Sequence, residues 1–117
     1  MQMQNPALVE LIERLGRTSK QHDAPIWKRV GELLGRPRSR RACVNIAKIA
    51  RYSSAGSMVI VPGKVLGSGS IEHPVTVAAF SFSSTAIKKI LDAEGRILSI
   101  DELVKMNPKG TGVRIIV

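Results

Sequence analysis

The apolar residues of this chain change their spacing once, near Tyr52, and that change governs what the chain can fold into. Ahead of it they step by three and four, as in Leu8, Leu11, Ile12, Leu15 and again in Ile26, Trp27, Val30, Leu33, Leu34. Such stripes give an α-helix one apolar face. Behind it they run together in short β-rich stretches, Met58-Val-Ile-Val61 and Val75–Phe82, as buried strands do. Helices followed by strands and more helices predict an α/β fold. The expected architecture is a basic amino-terminal helical arm of about three helices, packed on a compact body of short strands and two helices. With 117 residues, 44% of them apolar, the chain has material for one packed domain. The expected division within 1–117 is a basic helical region at 1–52 and an α/β body at 53–117.

Local punctuation refines this. Asn5-Pro6 reads as a helix cap followed by proline at the first helical position. Asp23-Ala-Pro25 opens a second helix, which Gly35 and Pro37 stop. Ser39 reads as the cap of a third, with Cys43, Ile46, Ala47 and Ala50 on its apolar face. That would set Arg40 and Arg41 in a first turn, where the helix dipole disfavours cations unless an anion binds there. Past Tyr52, Pro62-Gly63 reads as a turn and Gly67-Ser-Gly-Ser70 as a flexible loop. The change of parity near Ala78-Ala79 predicts a bulge or a strand covered on both faces. Ser83 or Ser84 caps a fourth helix ending at Gly95. Ile97-Leu98 is a short strand. Ser99-Ile-Asp-Glu102 is a capping box, and Val113-Arg-Ile-Ile-Val117 closes the chain as a strand.

Charge points to a partner. The chain carries 18 Lys and Arg against 9 Asp and Glu, a formal +9. Residues 1–51 hold eleven basic side chains and only four acids. A one-sided cationic field attracts polyanions. Arg36-Pro-Arg-Ser-Arg-Arg41 is the densest part, four guanidiniums with no acid among them. Their planar donor forks suit phosphate. The expected nucleic-acid-binding set is Arg36, Arg38, Arg40 and Arg41, extended by Arg17, Lys20, Lys28, Arg29, Lys48 and Arg51. Lys64 and Lys109, each beside a glycine, are second-tier contacts from loops. Aromatics are few, 3%. Trp27, Phe80 and Phe82 read as core, which leaves phosphate and shape recognition as the expected mode rather than base stacking.

Other chemistries lack their residues. Glu10 and Glu13 belong to an amphipathic surface pattern. His22 and His73 lie far apart with a single cysteine, Cys43, and cannot make up a zinc ligand set. Cys43 reads as a packing residue and, being alone, forms no internal disulfide. Pro62-Gly-Lys-Val65 lacks the flanking residues of a nucleotide-binding loop, and Gly67-Ser-Gly69 opens no helix. Gly63, Gly67 and Gly69 read instead as turns that let backbone approach a partner. No apolar run reaches membrane-spanning length. The amino terminus has no secretory signature, so a cytoplasmic protein with a reduced thiol is expected. No cofactor, metal or small-molecule substrate is expected.

Several segments together resemble a known family. They are Val61-Pro-Gly-Lys-Val-Leu-Gly67, Val75-Thr-Val-Ala-Ala-Phe-Ser-Phe-Ser83, Thr85-Ala-Ile-Lys-Lys-Ile90, and Ser99-Ile-Asp-Glu-Leu103 followed by Asn107-Pro-Lys-Gly110. With Asn5-Pro6, Trp27-Lys-Arg-Val30 and Arg36-Pro-Arg38, their order and spacing resemble the eighteenth large-subunit ribosomal protein of the archaeal–eukaryotic type. The family's body is similar to the fifteenth bacterial-type large-subunit protein. The resemblance implies a non-enzymatic, α/β constituent of the large ribosomal subunit that binds ribosomal RNA and adjoins other ribosomal proteins. The end at Val117, without the longer basic tail of eukaryotic members, implies an archaeal-like member. The competing expectations are a free-standing nucleic-acid-binding or RNA-chaperone protein, which shares the charge, and a small enzyme of nucleic-acid metabolism, which no residue pattern supports.

Overall fold

A computed structural model describes residues 5–117; the first four residues, read above for a secretory signal, lie outside the described residues. Helix α1 (Pro6–Gln21) starts where Asn5 accepts the Ala7 N–H at 2.9 Å, one of the free donors of a helix start. A turn with Asp23 at φ 50° leads into α2 (Pro25–Leu34). Ile12 and Leu15 lie against Gly31, and Ile12 also nears Gly35, so the two helices run antiparallel as a hairpin.

The stretch read as a third helix from Ser39 is different. Arg38–Arg40 form a single 3-10 turn, Ala42–Asn45 form strand β1, and helix α3 spans only Ile46–Arg51. Strand β1 pairs in parallel with a later strand, Cys43 beside Lys64 and Val44 beside Val65. That distant partner satisfies the backbone of residues 42–45, and the three-and-four spacing of Cys43, Ile46 and Ala47 is overridden. Arg40 and Arg41 therefore precede a strand, and no helix start lies beneath them to hold an anion. Cys43 is exposed rather than packed.

Strand β2 (Ser57–Leu66) runs straight through Pro62-Gly63 instead of turning there, and Lys64 lies within it rather than in a loop. It pairs in parallel with β3 (Val75–Phe82) along its length. Its other edge is shared: β5 (Val113–Ile115) takes Met58–Ile60 and β1 takes Gly63–Leu66. Strand β4 (Arg96–Ser99) pairs with β3. The sheet is parallel throughout, and its faces are covered by helices, as parallel sheets require. Helices α1, α2 and α5 (Ile100–Met106) cover one face, where Leu8, Leu15, Trp27, Val30 and Leu103 pack on Ile60, Ala78 and Leu98. Helices α3 and α4 (Ser84–Asp92) cover the other, where Ile46, Ile49, Ala86 and Ile90 meet Val59, Val61, Val77 and Ala79. The amino-terminal helices thus pack on the body, as expected, but not as one three-helix unit. Two of them share a core with the sheet, and the third lies on the opposite face.

Strand β3 is covered on both faces, as its parity suggested, and the bulge beside it lies in β2. Val77, Ala78 and Ala79 are buried in succession, as expected between two helical layers. The register then slips: Val61 faces Ala79 and Lys64 faces Ser81, so Pro62-Gly63 stand opposite Phe80 alone. Residues 67–74 carry the chain back from the end of β2 to the level of its start. Nine steps must cover a strand that rises about 30 Å, so the return runs as a strap with little slack. It is pinned rather than flexible. The Ala47 N–H donates to Ser68 O at 3.1 Å, and Lys89 Nζ donates to the carbonyls of Gly67 and Gly69, both at 2.6 Å. A Cβ at Gly69 would lie 2.4 Å from the Ala47 Cβ, and one at Gly63 would lie 2.0 Å from the Ala42 carbonyl oxygen. These glycines serve close approaches inside the chain, not to a partner.

Candidate nucleic-acid interface

The hairpin geometry sorts the expected cationic residues into separate groups. Asn5 at the start of α1 and Gly35 at the end of α2 stand at one end of the α1–α2 layer, beside residues 36–43. There a groove of 640 Å³ is lined by Arg36, Arg38 and Arg41 from the loop, Cys43 from β1, Gly63 and Lys64 from β2, and Phe80 and Ser81 from β3. Register places Cys43, Lys64 and Ser81 in one row across three strands. No acidic residue lines the groove. Arg41 is half-buried, and its Nε donates to Arg36 O at 3.1 Å, which closes the loop on itself. Arg36, Arg38 and Lys64 are exposed. Arg40, in the same loop, is exposed but does not line the groove.

Arg17 and Lys20 lie near the end of α1, and Lys28 and Arg29 near the start of α2. They stand toward the opposite end of the hairpin, roughly 9–22 Å along the helices from Asn5 and Gly35. Lys109 joins this end, because Trp27 Nε1 donates to Pro108 O at 2.7 Å and Gly110 packs against Ile26. Lys48 and Arg51 lie on α3, across the sheet; the Lys48 ammonium donates to the Val117 carbonyl.

Other cations are engaged within the fold. Arg14 makes two hydrogen bonds to Asp101, at 3.2 and 2.6 Å, and lies 3.8 Å from Glu10. The bond to Asp101 raises the guanidinium pKa above its ordinary value. Lys88 pairs with Asp92 at 3.7 Å. The groove residues have no such carboxylate partner among the described residues.

Aromatic placement differs from expectation at one position. Trp27 is fully buried and Phe82 packs half-buried against the core. Phe80 instead is 37% exposed and lines the groove. It has the parity of Ala78, on the face that α1 and α2 cover, but lies where that layer ends at Asn5 and Gly35. Sequence spacing also missed the pairing of Ser53 with His73, whose Nε2 lies 2.9 Å from the hydroxyl. The hydroxyl donates to Ile49 O, so it accepts from the imidazole and is not deprotonated by it. The pair ties the strap to α3. Among the described residues, no cluster of His, Cys, Asp and Glu could hold a metal ion, and no helix is long and apolar enough to cross a membrane.

A small parallel α/β protein that gathers unpaired arginines and a lysine at an acid-free groove belongs to the class of basic proteins suited to polyanions. Residues 2–117 match the family model described as ribosomal protein 60S L18 and 50S L18e. The large ribosomal subunit protein eL18 of Archaeoglobus fulgidus is 52% identical over 117 residues, with both chains covered in full. That of Methanospirillum hungatei is 48% identical over 112 residues, covering 96% of this chain and 93% of the relative. That of Methanococcus maripaludis is 49% identical over 111 residues, covering 95% and 92%. The chain belongs to this ribosomal protein family, whose role is structural rather than enzymatic and whose place is the ribosome in the cytoplasm.

Proposed function

We propose that this chain is a structural constituent of the large ribosomal subunit that holds folded ribosomal RNA through phosphate and shape recognition at two separated places. The observation that carries the reading is the convergence of Arg36, Arg38, Arg41 and Lys64 on one groove that no acid lines. Unpaired like charges repel, and phosphates relieve that repulsion while matching the guanidinium forks. Arg17, Lys20, Lys28, Arg29 and Lys109 form the second contact, at the far end of the hairpin. Arg40, Lys48 and Arg51 extend the footprint. Two binding places toward opposite ends of one helical layer let the protein fix two RNA segments relative to each other. Neighbouring ribosomal proteins are part of the same proposal, supported by membership of the family. So is the kinship of the body to the fifteenth bacterial-type protein, supported by the strand and helix pattern and tested by superposition of the two.

The experiment is a salt titration of binding to large-subunit ribosomal RNA. Each phosphate left without its cation should flatten the log–log slope by about 0.7–0.9. The triple variant R36A/R38A/K64A should bind more weakly, with a slope shallower by about 2, and keep the wild-type melting curve because all three side chains are exposed. Unchanged affinity and slope would remove the groove from the interface.

A further inference from the structure

One ring stands where the charge pattern gives no reason for it. Phe80 exposes 37% of its surface in a groove whose charged lining is Arg36, Arg38, Arg41 and Lys64. Leaving a large apolar side chain in water forgoes burial energy, and the other phenylalanine of β3, Phe82, packs on the core. Phe80 has the parity of Ala78, which faces α1 and α2, but lies where that helical layer ends at Asn5 and Gly35. Opposite it, β2 bulges at Pro62-Gly63, and bulges gather next to functional sites. Strand pairing on both sides of the slip fixes the backbone carrying the ring, so a flat partner finds it already oriented.

Among the described residues, the other rings are committed. Trp27 is buried and Phe82 packs on the core, while Tyr52, 42% exposed, has the Arg114 guanidinium over its ring at 5.5 Å. Phe80 combines exposure with flanking cations that have no carboxylate partner among the described residues. That is the arrangement by which proteins bind unpaired nucleotides: a basic track for the backbone and an aromatic face for the base.

We infer that Phe80 is a stacking platform for one unpaired nucleobase of the bound RNA, whose flanking phosphates lie on Arg36, Arg38 and Lys64. The inference rests on the groove being an RNA-binding surface, and it adds a recognition mode that charge alone does not supply. An acidic peptide would satisfy the cations but has no need of the ring.

The test compares F80A and F80W with wild type in binding large-subunit ribosomal RNA across a salt series, with Cys43 as a reporter because its exposed thiol lines the same groove. F80A should weaken binding about tenfold and leave the salt slope unchanged, since stacking releases no counterions. F80W should retain affinity, and its fluorescence should be quenched by RNA. Alkylation of Cys43 should be slowed by RNA in the wild type. Wild-type binding with F80A equally tight overturns the platform and leaves the phosphate reading standing. A slope that flattens in F80A as it does in R36A/R38A/K64A also overturns it, because the ring would then only support the arginines. Competition by polyglutamate that is itself weakened in F80A would assign the groove to an acidic peptide instead. Failure of the wild type to bind RNA at low salt removes the reading beneath both.

Discussion

Gly63 shows how one residue places a whole edge of the sheet. Its absent side chain lets the Ala42 carbonyl approach to a point 2.0 Å from where a Cβ would stand. The obstacle is backbone, which has no rotamer to yield. Gly63→Ala should therefore displace β1 from β2 and carry the Arg36–Arg41 loop with it. The expected result is a lower melting temperature together with weakened RNA binding, measured on the same sample. A variant that melts normally and binds normally would show that β1 can shift without cost. Glycine at this position reads from sequence as a turn beside proline, because spacing reports no tertiary neighbour. Phe80 misleads for a related reason: alternation along β3 gives it the parity of the buried Ala78, but where the covering helices end is a property of tertiary packing.

At the scale of elements, the helices with side-chain caps were the most legible. Asn5 caps α1 and Ser83 caps α4. The capping box of α5 is closed in both directions, the Ser99 N–H donating to Glu102 Oε1 at 2.9 Å and the Glu102 N–H to Ser99 Oγ at 3.1 Å. The signals for these helices lie within a few residues of each other, so a linear reading captures them. Strand β1 was not legible, since four residues paired with a strand some twenty positions away leave no periodic trace. The capping box carries a pH signature. The backbone bond from Ser99, then its hydroxyl, holds the Glu102 carboxyl below its ordinary value of 4.5. A carboxyl with a lowered folded pKa contributes stability above the unfolded pKa and loses it as pH falls through the folded one. Glu102→Gln should thus be less stable than wild type at neutral pH, and the difference in urea midpoint should shrink as pH drops below the carboxylate range. A difference that does not change with pH would assign the destabilisation to packing.

At the scale of the molecule, the basic region and the α/β body form one packed unit in this proposal, because Leu8, Leu11, Leu15 and Trp27 share a cluster with Ile60, Ala78 and Leu98. Removing residues 5–37 would take α1 and α2 from one face of the sheet and leave only α5 there. The shortened chain should show no cooperative melting transition and should bind a hydrophobic dye, whereas a separable arm would leave the body's transition intact. Charge asymmetry announced a polyanion partner before any geometry was known. It could not divide the cations between the two ends of the hairpin, since that division depends on where α1 and α2 turn back. The taut strap between β2 and β3 has its own outcome for the whole architecture. Shortening it by a single residue would drag β3 one step along its neighbour and exchange inward for outward positions on that strand. Valines would then meet the α1–α2 side and Ala78 the other, so both cores would fail together. Lineages of this protein should lengthen that connection freely but seldom trim it.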